Sequence, residues 1–82
     1  MQVHPRVAWQ LLDGRAVLID LERATALGLN DSASFLWQRL DGREPPALAA
    51  ELAREFEVEP EQARRDVDEF VGLLRARGFL AD

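Results

Sequence analysis

The stretch VAWQLLDGRAVLIDL, residues 7–21, decides the fold of this 82-residue chain. Its first six residues are rich in strand formers, and Asp13-Gly14 follows at once. Asp-Gly between two apolar segments is a strong hairpin signal, because a type I′ turn needs positive φ at both central residues. Residues 16–21 then alternate between two faces, Val17, Ile19 and Leu21 on one and Leu18 and Asp20 on the other. The pattern predicts an antiparallel hairpin.

A third strand is predicted over residues 25–29, TALGL. Leu27 and Leu29 share one face, whereas Ala26 and Gly28 leave the other face almost bare. The strand contains neither a charge nor a proline, the usual means of blunting a free sheet edge. Two interpretations stay open: an extended peptide adds to this edge, or the strand is central or covered by a helix.

Three helices are predicted after the sheet. The capping residues Asn30, Asp31 and Ser32 precede the first helix, and Asp41-Gly42 ends it. The second helix begins at Pro45-Pro46, since proline is tolerated where the amide has no helical partner, and it ends near residue 57.

The third helix begins at Pro60 and runs to about residue 77, with Gly78 suited to the left-handed position beyond its end. Apolar residues at helical spacing give each helix one core stripe. The stripes are Ala33, Leu36, Trp37 and Leu40; Ala49, Leu52, Ala53 and Phe56, with Leu48 beside them; and Ala63, Val67, Phe70 and Leu74. The predicted class is α+β: a three-stranded antiparallel sheet followed by a three-helix bundle, winged helix-turn-helix-like, as a single domain over residues 1–82.

Composition argues against an enzyme. The chain has no cysteine and one histidine, His4, and all ten basic residues are arginine. These counts exclude thiolate chemistry, cysteine zinc sites, a histidine-pair metal site and a Schiff-base or P-loop lysine. The expectation is therefore a binding module with no catalytic residue, no metal and no cofactor.

The charge argues against nucleic acid as a partner. The net charge is −5, and all of it lies in residues 31–82, because residues 1–30 balance. A nucleic-acid binder usually shows a positive balance or a basic stripe. No signal peptide and no apolar run of membrane-spanning length is visible, so a soluble, cytoplasmic protein without a membrane partner is expected.

The third helix has two flanks beside its core stripe. Arg64, Val71 and Arg75 lie on one flank, with Asp68 just beyond them. Asp66, Leu73 and Arg77 lie towards the other flank. Either flank suits the wall of a groove, and the alternative is a solvated face with i,i+4 ion pairs.

The order and spacing of several motifs resemble the PqqD-like family, the precursor-peptide recognition elements found beside enzymes that modify ribosomally made peptides. The resemblance runs from about residue 7 to residue 80, and no single motif is diagnostic. Its motifs are Leu29-Asn30, Trp37, Asp41-Gly42, Asp66-Val67 with Phe70, and Gly78-Phe79-Leu80. One departure is that many relatives have a glycine and an aromatic residue entering the third strand, where this chain has Ala24, Thr25 and Ala26.

The resemblance implies a module that binds the leader segment of a precursor peptide and presents it to a separate tailoring enzyme. That enzyme would be a radical SAM enzyme or a leader peptidase of the lasso-peptide type. The leader would add as a strand to the third β-strand and lie against the third helix. The implied peptide-binding residues are Thr25, Ala26, Leu27, Gly28 and Leu29 on the strand, and Arg64, Asp68, Val71 and Arg75 on the helix, with Leu73 in reserve.

Two other functions remain open at this point. One is a winged-helix DNA-binding regulator, against which the acidic helices argue. The other is a scaffold subunit of an enzyme complex that does not touch peptide. A homodimer formed through the free strand edge is also possible on the sequence.

Overall fold

The computed structural model describes residues 1–81 and contains a three-stranded antiparallel sheet followed by three helices. This confirms the predicted fold class. The elements are β1 (Val7–Leu12), β2 (Arg15–Asp20), β3 (Thr25–Gly28), α1 (Asp31–Arg39), α2 (Pro45–Phe56) and α3 (Pro60–Ala76). Within residues 1–81, no helix is long and apolar enough to cross a membrane.

The hairpin turn sets the register of the sheet. Asp13 and Gly14 have φ of +52° and +81°, as a two-residue turn of this kind requires. Leu12 therefore pairs directly with Arg15, and β2 begins one residue earlier than predicted. It also ends one residue earlier, at Asp20, because the carboxylate of Asp20 accepts the backbone N–H groups of the turn that follows.

The helices cover one face of the sheet. Ala16, Leu18 and Asp20 of β2 are fully buried, whereas Val17 and Ile19 are only half-buried. The buried set therefore faces the helices and the other set faces outwards. Aromatic packing joins the two layers, since Trp9 meets Trp37 edge-on with ring centroids 6.2 Å apart.

The predicted stripes of the helices form most of the core. Leu36, Trp37 and Leu40 are buried, as are Leu48, Ala49 and Leu52 and all four residues of the α3 stripe. Phe56 is an exception, because it is 38% exposed at the last residue of α2. There its ring meets Phe35 edge-on at a centroid distance of 5.4 Å, on the rim of the core.

Replacement by alanine is expected to have opposite effects on stability at the two glycines of the α3 region. Gly78 has φ of +70°, and a Cβ there would lie 2.8 Å from Nη2 of Arg6, so Gly78→Ala is expected to destabilise the fold by about 1–2 kcal/mol. Gly72 lies within the helix with open space around it, so Gly72→Ala is expected to stabilise by about 0.5–1 kcal/mol. Urea unfolding of both variants measures the difference. Equal effects on the two midpoints would contradict this account of Gly78.

Candidate functional site

The free edge of β3 is the first component of the candidate site. The sheet order is β1-β2-β3, so β3 pairs with β2 on one side only. The N–H of Leu29 donates to the carbonyl of Ala16 at 2.9 Å, and successive residues of a strand point their backbone groups to opposite sides. Ala26 and Gly28 therefore direct their N–H and C=O groups away from the sheet, and Thr25 and Leu27 direct theirs towards β2.

The side chains of β3 leave that edge accessible. Ala26 pairs with Ile19 and Gly28 with Val17, so these two small residues lie on the outward face of the sheet. Leu27 pairs with the buried Leu18 and packs partly against the core. An incoming strand thus meets backbone groups with almost no side chain beside them.

A groove between α3 and the start of α1 is the second component. The groove encloses about 340 Å³. Its apolar floor consists of Ala33 and Leu36 from α1 and Phe70 and Leu73 from α3. The polar lining residues are Asn30, Ser32, Asp66 and Glu69. Asn30 lies two residues beyond the end of β3, so the groove opens where the free edge ends.

The groove uses the flank of α3 that carries Asp66 and Leu73. The side chain of Leu73 is 40% exposed, as expected for an apolar side chain that lines a groove open to solvent. Its neighbour Phe70 is 7% exposed and joins the groove floor to the core. Arg77 lies one turn beyond Leu73 on the same flank, close to the first residues of β3.

The other flank, which carries the predicted wall residues, turns towards α2. Arg64 and Asp68 lie beside Pro45 and Pro46 at the start of α2. Val71 is buried in the core, and Arg75 is exposed in the last turn of α3. Among the described residues, none of Thr25 to Leu29 lines this groove, and β3 leads to it through Asn30, the residue after Leu29. Arg64, Asp68, Val71 and Arg75 do not line it either.

Asp20 holds the turn that leads into β3. One carboxylate oxygen accepts the N–H groups of Glu22 at 3.0 Å and Arg23 at 3.1 Å, and it lies 3.3 Å from Nε of Arg6. Burial raises the pKa of the Asp20 carboxyl, but the amides of Arg23 and Glu22 and the Arg6 guanidinium outweigh this, and the pKa falls below its ordinary value. Asp20 is thus ionised, and it fixes where β3 begins.

The same cluster joins the sheet to the end of α3. Nη2 of Arg6 donates to the carbonyl of Gly78 at 2.7 Å, and Nη1 of Arg23 donates to the carbonyl of Arg77 at 3.0 Å. These bonds tie the start of β3 to the C-terminal end of α3. Sequence reasoning missed this cluster. The signal that was available is the two-residue repeat of the strand. Asp20 lies two residues after Leu18 and four after Ala16, so its carboxylate is on the same face as those two side chains.

Residues 15–80 match the family described as Coenzyme PQQ synthesis protein D (PqqD). The chain belongs to the PqqD family. This confirms the resemblance inferred from the order of its motifs. No curated protein sequence matches it significantly.

Two solved structures share the whole fold of this PqqD-family chain. One is described as TbiB1 in complex with the TbiA(beta) leader peptide: it is 26% identical with a TM-score of 0.90, and the match covers 99% of this chain and 95% of that one. The other is described as lasso peptide synthetase B1 complexed with the leader peptide: it is 33% identical with a TM-score of 0.88, covering 99% and 96%. Both neighbours are complexes with leader peptides.

Proposed function

We propose that this protein binds the leader segment of a ribosomally made precursor peptide and presents it to a separate modifying enzyme. The observation that carries the proposal is a free strand edge that leads, through Asn30, to an apolar groove. The leader peptides bound by the two solved neighbours, and membership of the PqqD family, support the same conclusion.

Strand addition supplies the first part of the affinity. The N–H and C=O groups of Ala26 and Gly28 face the free edge and can pair with an extended peptide. Each such hydrogen bond contributes about 0.5–1.5 kcal/mol net. The small side chains at these positions keep the approach open on the outward face of the sheet.

The groove supplies the second part of the affinity for the leader. A leader residue whose side chain points towards the helices meets Leu73, Phe70 and Leu36, an apolar surface that gains from losing water. The wall residues we propose are therefore on the Asp66–Leu73 flank. The earlier candidates Arg64, Asp68, Val71 and Arg75 form the competing wall, and substitutions on the two flanks distinguish them.

The role of the module is presentation. Within residues 1–81, no group of three or more His, Cys, Asp or Glu side chains can hold a metal ion. We propose that the protein is not itself catalytic and that a partner, a radical SAM enzyme or a leader peptidase of the lasso-peptide type, performs the modification. Holding the leader raises the effective concentration of the attached core peptide at that enzyme.

The same edge of β3 is also where a second copy of the chain would pair. We propose that such a homodimer and leader binding exclude each other, because both use the outward groups of Ala26 and Gly28. Added leader would then shift any dimer to monomer in sedimentation velocity.

Leu73→Asp tests the groove wall. Leu73 is 40% exposed, so the fold tolerates the change, while the leader loses an apolar contact and meets a new charge. We expect leader affinity to fall about tenfold or more. The measurement is a fluorescence-anisotropy titration with the leader of a short precursor peptide, sought as an open reading frame beside the gene.

Two controls accompany this variant. Leu12→Asp places the same charge on a residue that is 53% exposed at the hairpin turn, and it should leave affinity unchanged. Arg75→Glu changes the competing flank. If Arg75→Glu weakens binding while Leu73→Asp does not, the wall is on the α2 side of α3 and our assignment is wrong.

A further inference from the structure

The charges along this flank of α3 are separated by sign. At the end next to the last residues of β3, Asp66 and Glu69 line the groove. Nε2 of Gln62 donates to Asp66 at 2.8 Å, but within residues 1–81 no cation lies in ion-pair distance of either carboxylate. This end carries two unneutralised negative charges.

Beyond the groove, at the C-terminal end of α3 and next to the turn that leads into β3, the surface is basic. Arg6 and Arg23 donate to the carbonyls that end α3, and Arg77 belongs to the same turn. Among residues 1–81, the carboxylates that pair with Arg6 and Arg23 are those of Asp20, which is buried, and Glu22. In the part of the chain that the structure describes, three arginines accompany these two carboxylates, and the side chain of Arg23 is 60% exposed.

The acidic region and the basic region are separated by about the length of a short strand. Glu69 and Arg77 lie eight residues apart, which is about 12 Å along a helix and equals about three to four residues of an extended peptide. The apolar floor formed by Leu73 and Phe70 lies between them. A peptide that continues from the groove to the C-terminal end of α3 would therefore pass an acidic region, an apolar region and a basic region in turn.

We propose that the groove selects leaders by a charge order: a basic residue beside Asp66 and Glu69, then an apolar residue over Leu73, then an acidic residue beside Arg23. This inference rests on the proposed function and specifies its substrate. All strand pairs of this sheet are antiparallel, and a leader that continues the pattern has its N-terminal side at the Gly28 end. The basic residue then precedes the acidic residue by about three or four positions.

Two synthetic peptides of identical composition test the charge order. One has a lysine four residues before a glutamate with a leucine between them, and its twin has the lysine and the glutamate exchanged. At low ionic strength we expect the first peptide to bind about three- to tenfold more tightly, and the difference to shrink as salt is added. Equal affinity, or preference for the twin, would overturn the proposal.

A charge-reversal variant identifies the residue responsible. Glu69→Arg is expected to reduce or invert the preference between the two peptides, because it reverses the charge at the acidic end. The matched control is Glu61→Arg, which makes the same change in net charge on the exposed surface of α3 outside this groove. If the two variants change the preference equally, the effect is one of net charge and the proposed contact is wrong.

The failure of this inference is distinguishable from the failure of the proposed function. Where the wild type binds both peptides equally and Ala26→Pro abolishes both interactions, strand addition stands and the charge order is wrong. Where neither the synthetic peptides nor the leader of a precursor found beside the gene binds the wild type, the proposed function itself is wrong.

Discussion

Ala26→Pro is expected to weaken leader binding about 10- to 100-fold while the protein stays folded. The N–H of Ala26 points away from β2, so its loss breaks no bond within the sheet. An incoming strand loses a donor at that position, and the proline ring obstructs the approach of its backbone. Calorimetric titration of the variant with leader measures the loss, and circular dichroism verifies the fold.

Proline at two other positions separates edge binding from general damage. Leu27→Pro removes an N–H that faces β2, so it should lower the stability of the sheet itself. Leu11→Pro removes an outward N–H from β1, at the opposite edge of the sheet, and should leave leader affinity unchanged. If folded Ala26→Pro binds the leader normally, strand addition at β3 is wrong.

Asp20→Ala is expected to give the largest loss of stability among the charge-removing substitutions. The side chain is fully buried, and its loss leaves Nε of Arg6 and the amides of Glu22 and Arg23 without their acceptor. We expect the melting temperature to fall by about 10 °C or more. The control is Asp31→Ala, which removes the exposed partner of Arg15 and should change the melting temperature little.

The pH dependence of stability provides a second measurement on Asp20. Its pKa is lower in the folded protein than in the unfolded chain, so the stabilisation is present above about pH 4 and is lost as the pH falls through the folded pKa. Asp20→Asn removes the titratable carboxylate and with it this pH-dependent stabilisation. Urea unfolding at a series of pH values should show a shallower acid-side decline for Asp20→Asn than for the wild type. Parallel curves would mean that Asp20 makes no such contribution.

Local signals were sufficient for the elements of the fold. Asp13-Gly14 fixed the hairpin because the turn that it favours permits one pairing, and the prolines at the starts of α2 and α3 lie where a missing N–H costs nothing. Both ends of β2 lie one residue earlier than predicted. At its end, Asp20 accepts hydrogen bonds from the amides of the following turn, and the alternation of apolar residues does not reveal these bonds.

The orientation of α3 could not be predicted in the same way. Helical periodicity identified the core stripe of α3. Arg64 and Leu73 lie on opposite flanks of that stripe, and the sequence pattern does not show which flank lines a groove. Which flank of α3 stays clear of α2 depends on how the two helices pack, and helical periodicity does not encode that packing. The two apolar faces of β2 raise the same problem, because Val17 and Leu18 are equally apolar and only the position of the helices decides which is buried.

The bare outward face at Ala26 and Gly28 has a consequence for how such a module changes over evolutionary time. Peptide bonds are the same in every leader, so recognition through backbone groups tolerates mutation at many leader positions at once. Substitutions that matter are then confined to the few positions that enter the groove. A precursor gene can diverge widely, or be duplicated and diversified, while its recognition protein stays unchanged.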